Sequence, residues 1–137
     1  MSIALDIGMQ EMAKETLRLK HLFDEFLLNM KPLFDQGMKL NGSADIRLPD
    51  NISLTIPGIP SSILLTELSS FALSAGSACA SGSGAGSYVI KALRGSEEEA
   101  LSTIRISMGR WTTEENMNKL AKQLLAAFEK FKDMGFE

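Results

Sequence analysis

Hydrophobic residues recur every three or four positions in two long stretches of the chain. Across residues 5–34 the stripe runs Met12, Leu19, Phe23, Phe26, Met30 and Leu33, with Lys14, Glu15, Arg18, Lys20, Asp24 and Glu25 filling the gaps. That period predicts a helix. About thirty residues is long for a helix in a globular protein, so a bend or break is expected near residues 8–11. Pro32 weakens the last turn, because it lacks an amide proton and crowds the turn before it. The second stretch, 112–131, carries Met117, Leu120, Leu124, Phe128 and Phe131. Thr112 and Glu115 open it with the spacing of a capping box.

Between these stretches the period shortens to two. "NISLTIP" (51–57) sets Ile52, Leu54 and Ile56 on one side and Ser53 and Thr55 on the other. This predicts a half-buried strand, ended by Pro57-Gly58. "TIRISM" (103–108) alternates in the same way, with Ile104, Ile106 and Met108 opposed to Thr103, Arg105 and Ser107. "MKLNG" (38–42) reads as a short strand closed by an Asn-Gly turn. "SSILLTELSSF" (61–71) reads as a short helix with Ser61 or Ser62 as its N-cap. "ALSAGS" (72–77) is strand-like. "SYVIKAL" (87–93) is a helix capped by Ser87 and stopped at Gly95, and "SEEEALS" (96–102) opens with the capping-box pair Ser96 and Glu99. The expected architecture is α+β: a small, mostly antiparallel sheet covered on one face by helices, with a long N-terminal helix. No internal repeat is found.

Composition narrows the function. The 137 residues are 45% hydrophobic and 23% charged, which suits one soluble domain spanning 1–137 with a real core. A net charge of −3 and no basic cluster argue against a nucleic-acid partner. No apolar run approaches the ~20 residues needed to span a bilayer, so no membrane partner is expected. The first residues lack the basic lead and apolar block of a secretory signal. One cysteine closes no internal disulfide. Both points lead to an expected cytoplasmic location. One His and one Cys make no intrachain zinc site of the usual kind, and His21 reads as a surface or edge histidine.

"SAGSACASGSGAG" (74–86) holds Cys79, the only cysteine, among tiny uncharged side chains. A free cysteine is commonly a buried small hydrophobe, and Gly/Ser stretches are often linkers. The strand-like stretch before it and the capped helix after it place this one inside a domain, as a mobile loop over 74–87. A thiol there is exposed and suits a nucleophile that travels. The glycine pattern matches neither the dinucleotide fingerprint nor the P-loop. Arg105 stands mid-strand on the polar side. Such an arginine is either an ordinary solvated one or a carboxylate clamp, since a guanidinium grips a carboxylate in two places.

"SAGSACASGSGAGSYVIKAL" followed by "STIRISMGRWTTEENMNKLAKQL" resembles the C-terminal domain of cysteine desulfurases. These are pyridoxal-phosphate enzymes of the aminotransferase-like fold, which take sulfur from L-cysteine and leave L-alanine. "LNG" (40–42) and "RLPDNISLTIPGI" (47–59) match the family's approach to its catalytic loop, and residues 1–34 match the helix connecting from the cofactor domain. The resemblance covers nearly the whole chain. It implies that Cys79 is the nucleophile that forms a persulfide and that Arg105 holds the substrate carboxylate. It implies a sulfur-acceptor protein as partner, in iron–sulfur cluster or thio-cofactor biosynthesis. Asn51 occupies a family asparagine position.

Two departures stand out. Gly84-Ala85-Gly86 replaces the Leu-Glu-Pro that often precedes the Ser-Tyr pair, which implies a floppier loop. The family's cofactor domain has no counterpart, and Lys20-His21 reverses the order of its His-Lys motif. Pyridoxal phosphate is therefore not expected to bind this chain alone, and the chain by itself is not expected to desulfurate cysteine. The expected partners are a cofactor-domain half or a full desulfurase, the sulfur acceptor, and a second copy in a homodimer. A large exposed apolar patch is the expected mark of the missing contact. The alternatives are a stand-alone persulfide carrier and a regulatory module without catalytic activity.

Overall fold

A computed structural model of the chain describes residues 2–76 and 86–133. Helix α1 runs unbroken from Ser2 to Asn29, so the bend expected near residues 8–11 is absent. Gly8 has open space around it, and one glycine costs a helix only about 1 kcal/mol. The break falls at Met30, whose N–H is shared between the carbonyls of Phe26 and Leu27. Helix α2 (Lys31–Phe34) then starts afresh, with Pro32 in its first turn. First-turn amides have no intrahelical partner, so the missing proton is not felt there.

Strands β1 (Lys39–Leu40), β2 (Asn51–Thr55) and β3 (Thr103–Ser107) form one antiparallel sheet in the order β1-β2-β3. Helices α3 (Ser61–Glu67), α4 (Tyr88–Arg94), α5 (Glu97–Leu101) and α6 (Glu114–Asp133) complete the described elements. The β2–β3 register pairs Ile52 with Ile106 and Leu54 with Ile104 on one face. That face meets α1, α3 and α6 in a core that includes Phe26, Met30, Leu33, Leu64, Leu124 and Phe128. The expected α+β architecture holds. In addition, α4 and α5 lean over part of the second face, so Thr55 and Thr103 are buried as well.

The caps differ in detail from the sequence expectation. Pro60, not Ser61 or Ser62, stands at the N-cap of α3, with no side-chain bond. Ser87 holds the N-cap position of α4 but makes no capping bond, and Gly95 ends that helix at φ 77°. Ser96 does cap α5, accepting from the Glu99 N–H. At α6 the reciprocal pair sits one residue later than Thr112 and Glu115. Thr113 Oγ1 accepts from the Asn116 N–H at 3.2 Å, and Asn116 Oδ1 accepts from the Thr113 N–H at 3.0 Å. The Thr112 hydroxyl is instead taken by the Gly109 N–H.

The α1 stripe splits in two. Leu19, Phe23, Phe26, Met30 and Leu33 are buried, whereas Met12 is exposed. Leu5 and Met9 continue the same spacing toward the N-terminus, and they too are exposed. No helix among the described residues is long and apolar enough to cross a membrane.

Candidate functional site

The same register that buries the aliphatic face sets Ser53 opposite Arg105 and Asn51 opposite Ser107 on the other. Asn51, Ser53 and Arg105 form the floor of a groove of about 270 Å³, and Val89, Ile90 and Leu93 of α4 form its apolar wall. Arg105 is half-buried, and its Nε is fully covered yet has no hydrogen-bond partner among the described residues. A buried guanidinium donor without a partner is costly to leave unmade. An incoming carboxylate or similar anion is the chemistry that would satisfy it.

Cys79 lies outside the described residues, but both ends of its segment meet at this groove. Ser74 bridges to Arg105 through two backbone bonds, of 3.1 and 2.6 Å, so the strand-like reading of this stretch holds at Ser74. Gly76 has φ +75° and comes so near Ser87 that a Cβ on it would stand 3.3 Å from Ser87 Cβ. Gly86 passes closer still to α5, where a Cβ would stand 2.7 Å from Ala100 Cβ. The Glu97 carboxylate bonds the Lys91 ammonium at 2.5 Å, and that pairing, with a smaller influence of the Gly86 N–H, holds its pKa below the ordinary carboxylate value. The glycine at 86 thus has a packing reason at its own position.

Three residues of the site were not singled out from sequence. Arg47 donates to the carbonyls of Asn51 and Ser43 and stacks over the Phe23 ring at 5.0 Å. It staples the loop before β2, and burial lowers its pKa. Asn41, read only as part of a turn, is buried and donates to Ser53 Oγ and Thr55 Oγ1. Arg94 reaches Asn41 from α4. Nothing local marks Asn41 and Arg94, because their partners lie up to 54 positions away, whereas the carbonyls that Arg47 bonds from Ser43 and Asn51 are four positions off. His21 is exposed on α1, as expected, and Arg110 pairs with Glu11 at the surface.

No protein-family profile matches the chain. Curated relatives do. It is 39% identical over 134 residues to the protein named cysteine desulfurase IscS of Pseudomonas entomophila, covering 98% of this chain and 33% of that protein. It is 37% identical over 134 residues to the protein of the same name in Stutzerimonas stutzeri. The chain belongs to the cysteine desulfurase family, as its C-terminal domain. It spans about a third of the length of the curated relatives it matches. Two solved structures share the fold of this desulfurase domain at 22% identity. One is a NifS-like protein with a TM-score of 0.73, over 94% of this chain and 31% of that one. The other is the NifS-like protein of Rickettsia africae, with a TM-score of 0.71, over 88% and 31%.

The groove of the desulfurase domain does not fit pyridoxal phosphate. Its described lining offers two arginines, amides and hydroxyls, with no lysine, histidine or carboxylate. An amine for the aldehyde and a partner for the ring nitrogen are the groups that such a cofactor needs. The lining fits a carboxylate.

The exposed half of α1 carries Ile3, Leu5, Ile7, Met9, Met12 and Leu17. Trp111, which is 86% exposed, stands at the nearby β3–α6 turn. Arg18 binds that turn to α1 through the carbonyls of Gly109 and Thr112. At helical spacing Leu5, Met9 and Met12 share the face that Leu19 and Phe23 carry into the core, while Ile3, Ile7 and Leu17 stand elsewhere around the helix.

Proposed function

We propose that this domain supplies Cys79 as the persulfide-forming thiol and Arg105 as the substrate-carboxylate grip of a cysteine desulfurase, together with a cofactor-binding domain. The observation that carries this reading is Arg105 lining the groove where both ends of the Cys79 segment meet, with an Nε that has no hydrogen-bond partner among the described residues. A carboxylate held there brings the rest of a small amino acid to the mouth of the groove, within reach of the segment that bears the thiol. The exposed apolar half of α1 with Trp111 is the surface that the cofactor-binding domain would cover. When Cys79 takes sulfur from L-cysteine, an S–S bond forms at the thiolate and the substrate C–S bond breaks. Its electron pair stays with carbon, which takes a proton and leaves as L-alanine, and the cofactor of the other domain would supply the electron sink for that step. A protein acceptor would then take the sulfur by thiol–persulfide exchange, in iron–sulfur cluster or thio-cofactor synthesis. Its thiolate attacks the outer sulfur, a new S–S bond forms, the old one breaks and Cys79 leaves as a thiolate. A cytoplasmic location suits this reading, since reducing conditions keep the thiol free.

The test mixes the purified chain with the N-terminal two thirds of the Pseudomonas entomophila relative, loaded with pyridoxal phosphate. L-alanine release from L-cysteine and the intact mass of the chain are then measured. The mixture is expected to release alanine and to add one sulfur to the chain, whereas the chain alone releases none. Cys79→Ala should lose the added sulfur. Arg105→Ala should raise the cysteine concentration needed by roughly 10- to 100-fold, the worth of a charged hydrogen bond. Equal activity of both variants with wild type would overturn the assignment. Sulfur uptake from an intact desulfurase without alanine release by the mixture would favour a carrier instead.

A further inference from the structure

Helix α4 begins at Tyr88, directly after the Cys79 segment, and its last residue reaches back to the sheet. Arg94 Nε donates to Asn41 Oδ1 at 2.9 Å, and Arg94 Nη2 donates to the Leu40 carbonyl at 2.7 Å. Asn41 Nδ2 donates to Thr55 Oγ1 at 2.9 Å, Thr55 and Thr103 share a hydroxyl bond of 2.7 Å, and Thr103 donates to the Glu99 carbonyl at 2.7 Å. Each hydroxyl has one proton. Thr103 spends its own on Glu99, so Thr55 must donate to Thr103. The chain of bonds therefore runs in one direction, from the Arg94 guanidinium through Asn41 to α5. Arg94 also fixes which way the Asn41 amide faces, because a guanidinium needs an oxygen.

The two ends of the Cys79 segment are held differently. Ser74, on the incoming side, is tied to Arg105 by backbone bonds. On the outgoing side, no backbone bond joins α4 to the sheet among the described residues. Its polar tie to the sheet is the Arg94 fork onto Asn41 and Leu40, and Asn41 in turn grips Ser53, the direct strand partner of Arg105. We propose that Arg94 is a positioning residue of the site: it docks α4, and with it the outgoing foot of the Cys79 segment, at a fixed place beside Arg105. The functional half of this proposal rests on the reading of Cys79 given above.

The experiment compares the full wild-type chain with Arg94→Ala and Arg94→Lys. Three quantities are measured: sulfur uptake by Cys79 from the persulfide of a complete desulfurase, Cys79 alkylation by iodoacetamide, and amide hydrogen exchange in α4 and in β2–β3. Arg94→Ala is expected to slow sulfur uptake about tenfold, as the loss of a charged hydrogen bond predicts. Alkylation should stay within about twofold, because the thiol itself is untouched. Exchange at Lys91 and Gly95 should quicken while β2–β3 stays protected. Arg94→Lys should fall between, since an ammonium cannot span both acceptors as a fork does. Unchanged α4 exchange in Arg94→Ala overturns the docking role. Quickened exchange with unchanged uptake, or uptake and alkylation falling together, overturns the positioning role. A wild-type chain that takes no sulfur at all would sink the assignment of Cys79, and α4 exchange alone would then decide the docking by Arg94.

Discussion

Replacing Gly86 by alanine asks whether the outgoing end of the Cys79 segment is packed by necessity. A Cβ at this position would stand 2.7 Å from Ala100 Cβ, 2.9 Å from the Ala100 carbonyl carbon and 3.1 Å from the Leu101 nitrogen. Ordinary contact starts at 3.4 Å, so the two backbones must separate by 0.7 Å (3.4 − 2.7). Two of the three atoms are backbone, and Ala100 is buried, so no flexible side chain can give way. Overpacking of this kind costs about 1–3 kcal/mol. Gly86 is not among the glycines with positive φ, so alanine also restricts the unfolded chain and returns about 0.4–1 kcal/mol. The net loss is about 1–2 kcal/mol, or a fall in Tm of roughly 3–10 °C for a domain of this length. Gly8→Ala is the matched control, because it lies within α1 with open space around it. It should gain about 0.5–1 kcal/mol, with Tm rising a few degrees. Thermal melts followed by circular dichroism read both changes. A Gly86→Ala Tm at or above that of wild type, alongside the expected rise for Gly8→Ala, would refute the close passage against α5.

Thr113→Ala should cost about 1 kcal/mol in a urea titration, as loss of an N-cap does, while Glu115→Ala should stay near neutral; the reverse order would move the cap back to Thr112. The Glu97 carboxyl is held below its ordinary 4.5, first by the Lys91 ammonium and also by the Gly86 N–H. The bonded form is the charged one, so its contribution is full above that ordinary value and fades as pH falls through the lower folded value. The Gly86 amide resonance should therefore titrate with a midpoint below 4.5, and it should not titrate in Glu97→Gln; a wild-type midpoint at or above the ordinary value contradicts the contact.

The strands were legible because alternation is a strict instruction. "TIRISM" and "NISLTIP" each allow one way of putting three aliphatics on one face, and both faces came out as read. The helix ends were less legible. Thr112 with Glu115 and Thr113 with Asn116 both satisfy the capping spacing, and only the turn that takes the Thr112 hydroxyl for Gly109 decides between them. Across α1 and α2 the stripe keeps its spacing from Leu5 to Leu33, so periodicity could not say where the core stops. The core stops at Leu19; before it the described contacts of α1 with the rest of the chain are polar ones, from Arg18 to the Gly109 and Thr112 carbonyls and from Glu11 to Arg110. At the site, the face that Arg105 takes could be read from its place in a strand. Asn41 and Arg94 could not be singled out, since they draw their meaning from partners that folding brings from elsewhere in the chain, and Arg47 bonds carbonyls only four positions away with no pattern to mark it.

Core and site are not separate achievements of this fold. The register that pairs Ile52 with Ile106 and Leu54 with Ile104 is the one that pairs Ser53 with Arg105. Slipping β3 by one residue would turn every side chain to the other face. It would carry Ile104 and Ile106 out of the core and set Arg105 among Phe26, Leu64 and Leu124. Each lost aliphatic would cost about 1.5–3 kcal/mol, and a guanidinium buried without a partner would cost several more. A loss of that size exceeds what the two hydroxyls or the groove could offset, so hydrophobic burial on one side of the sheet fixes the arginine on the other. The Arg105 Nε, without a partner among the described residues, is then a local cost that the core can bear.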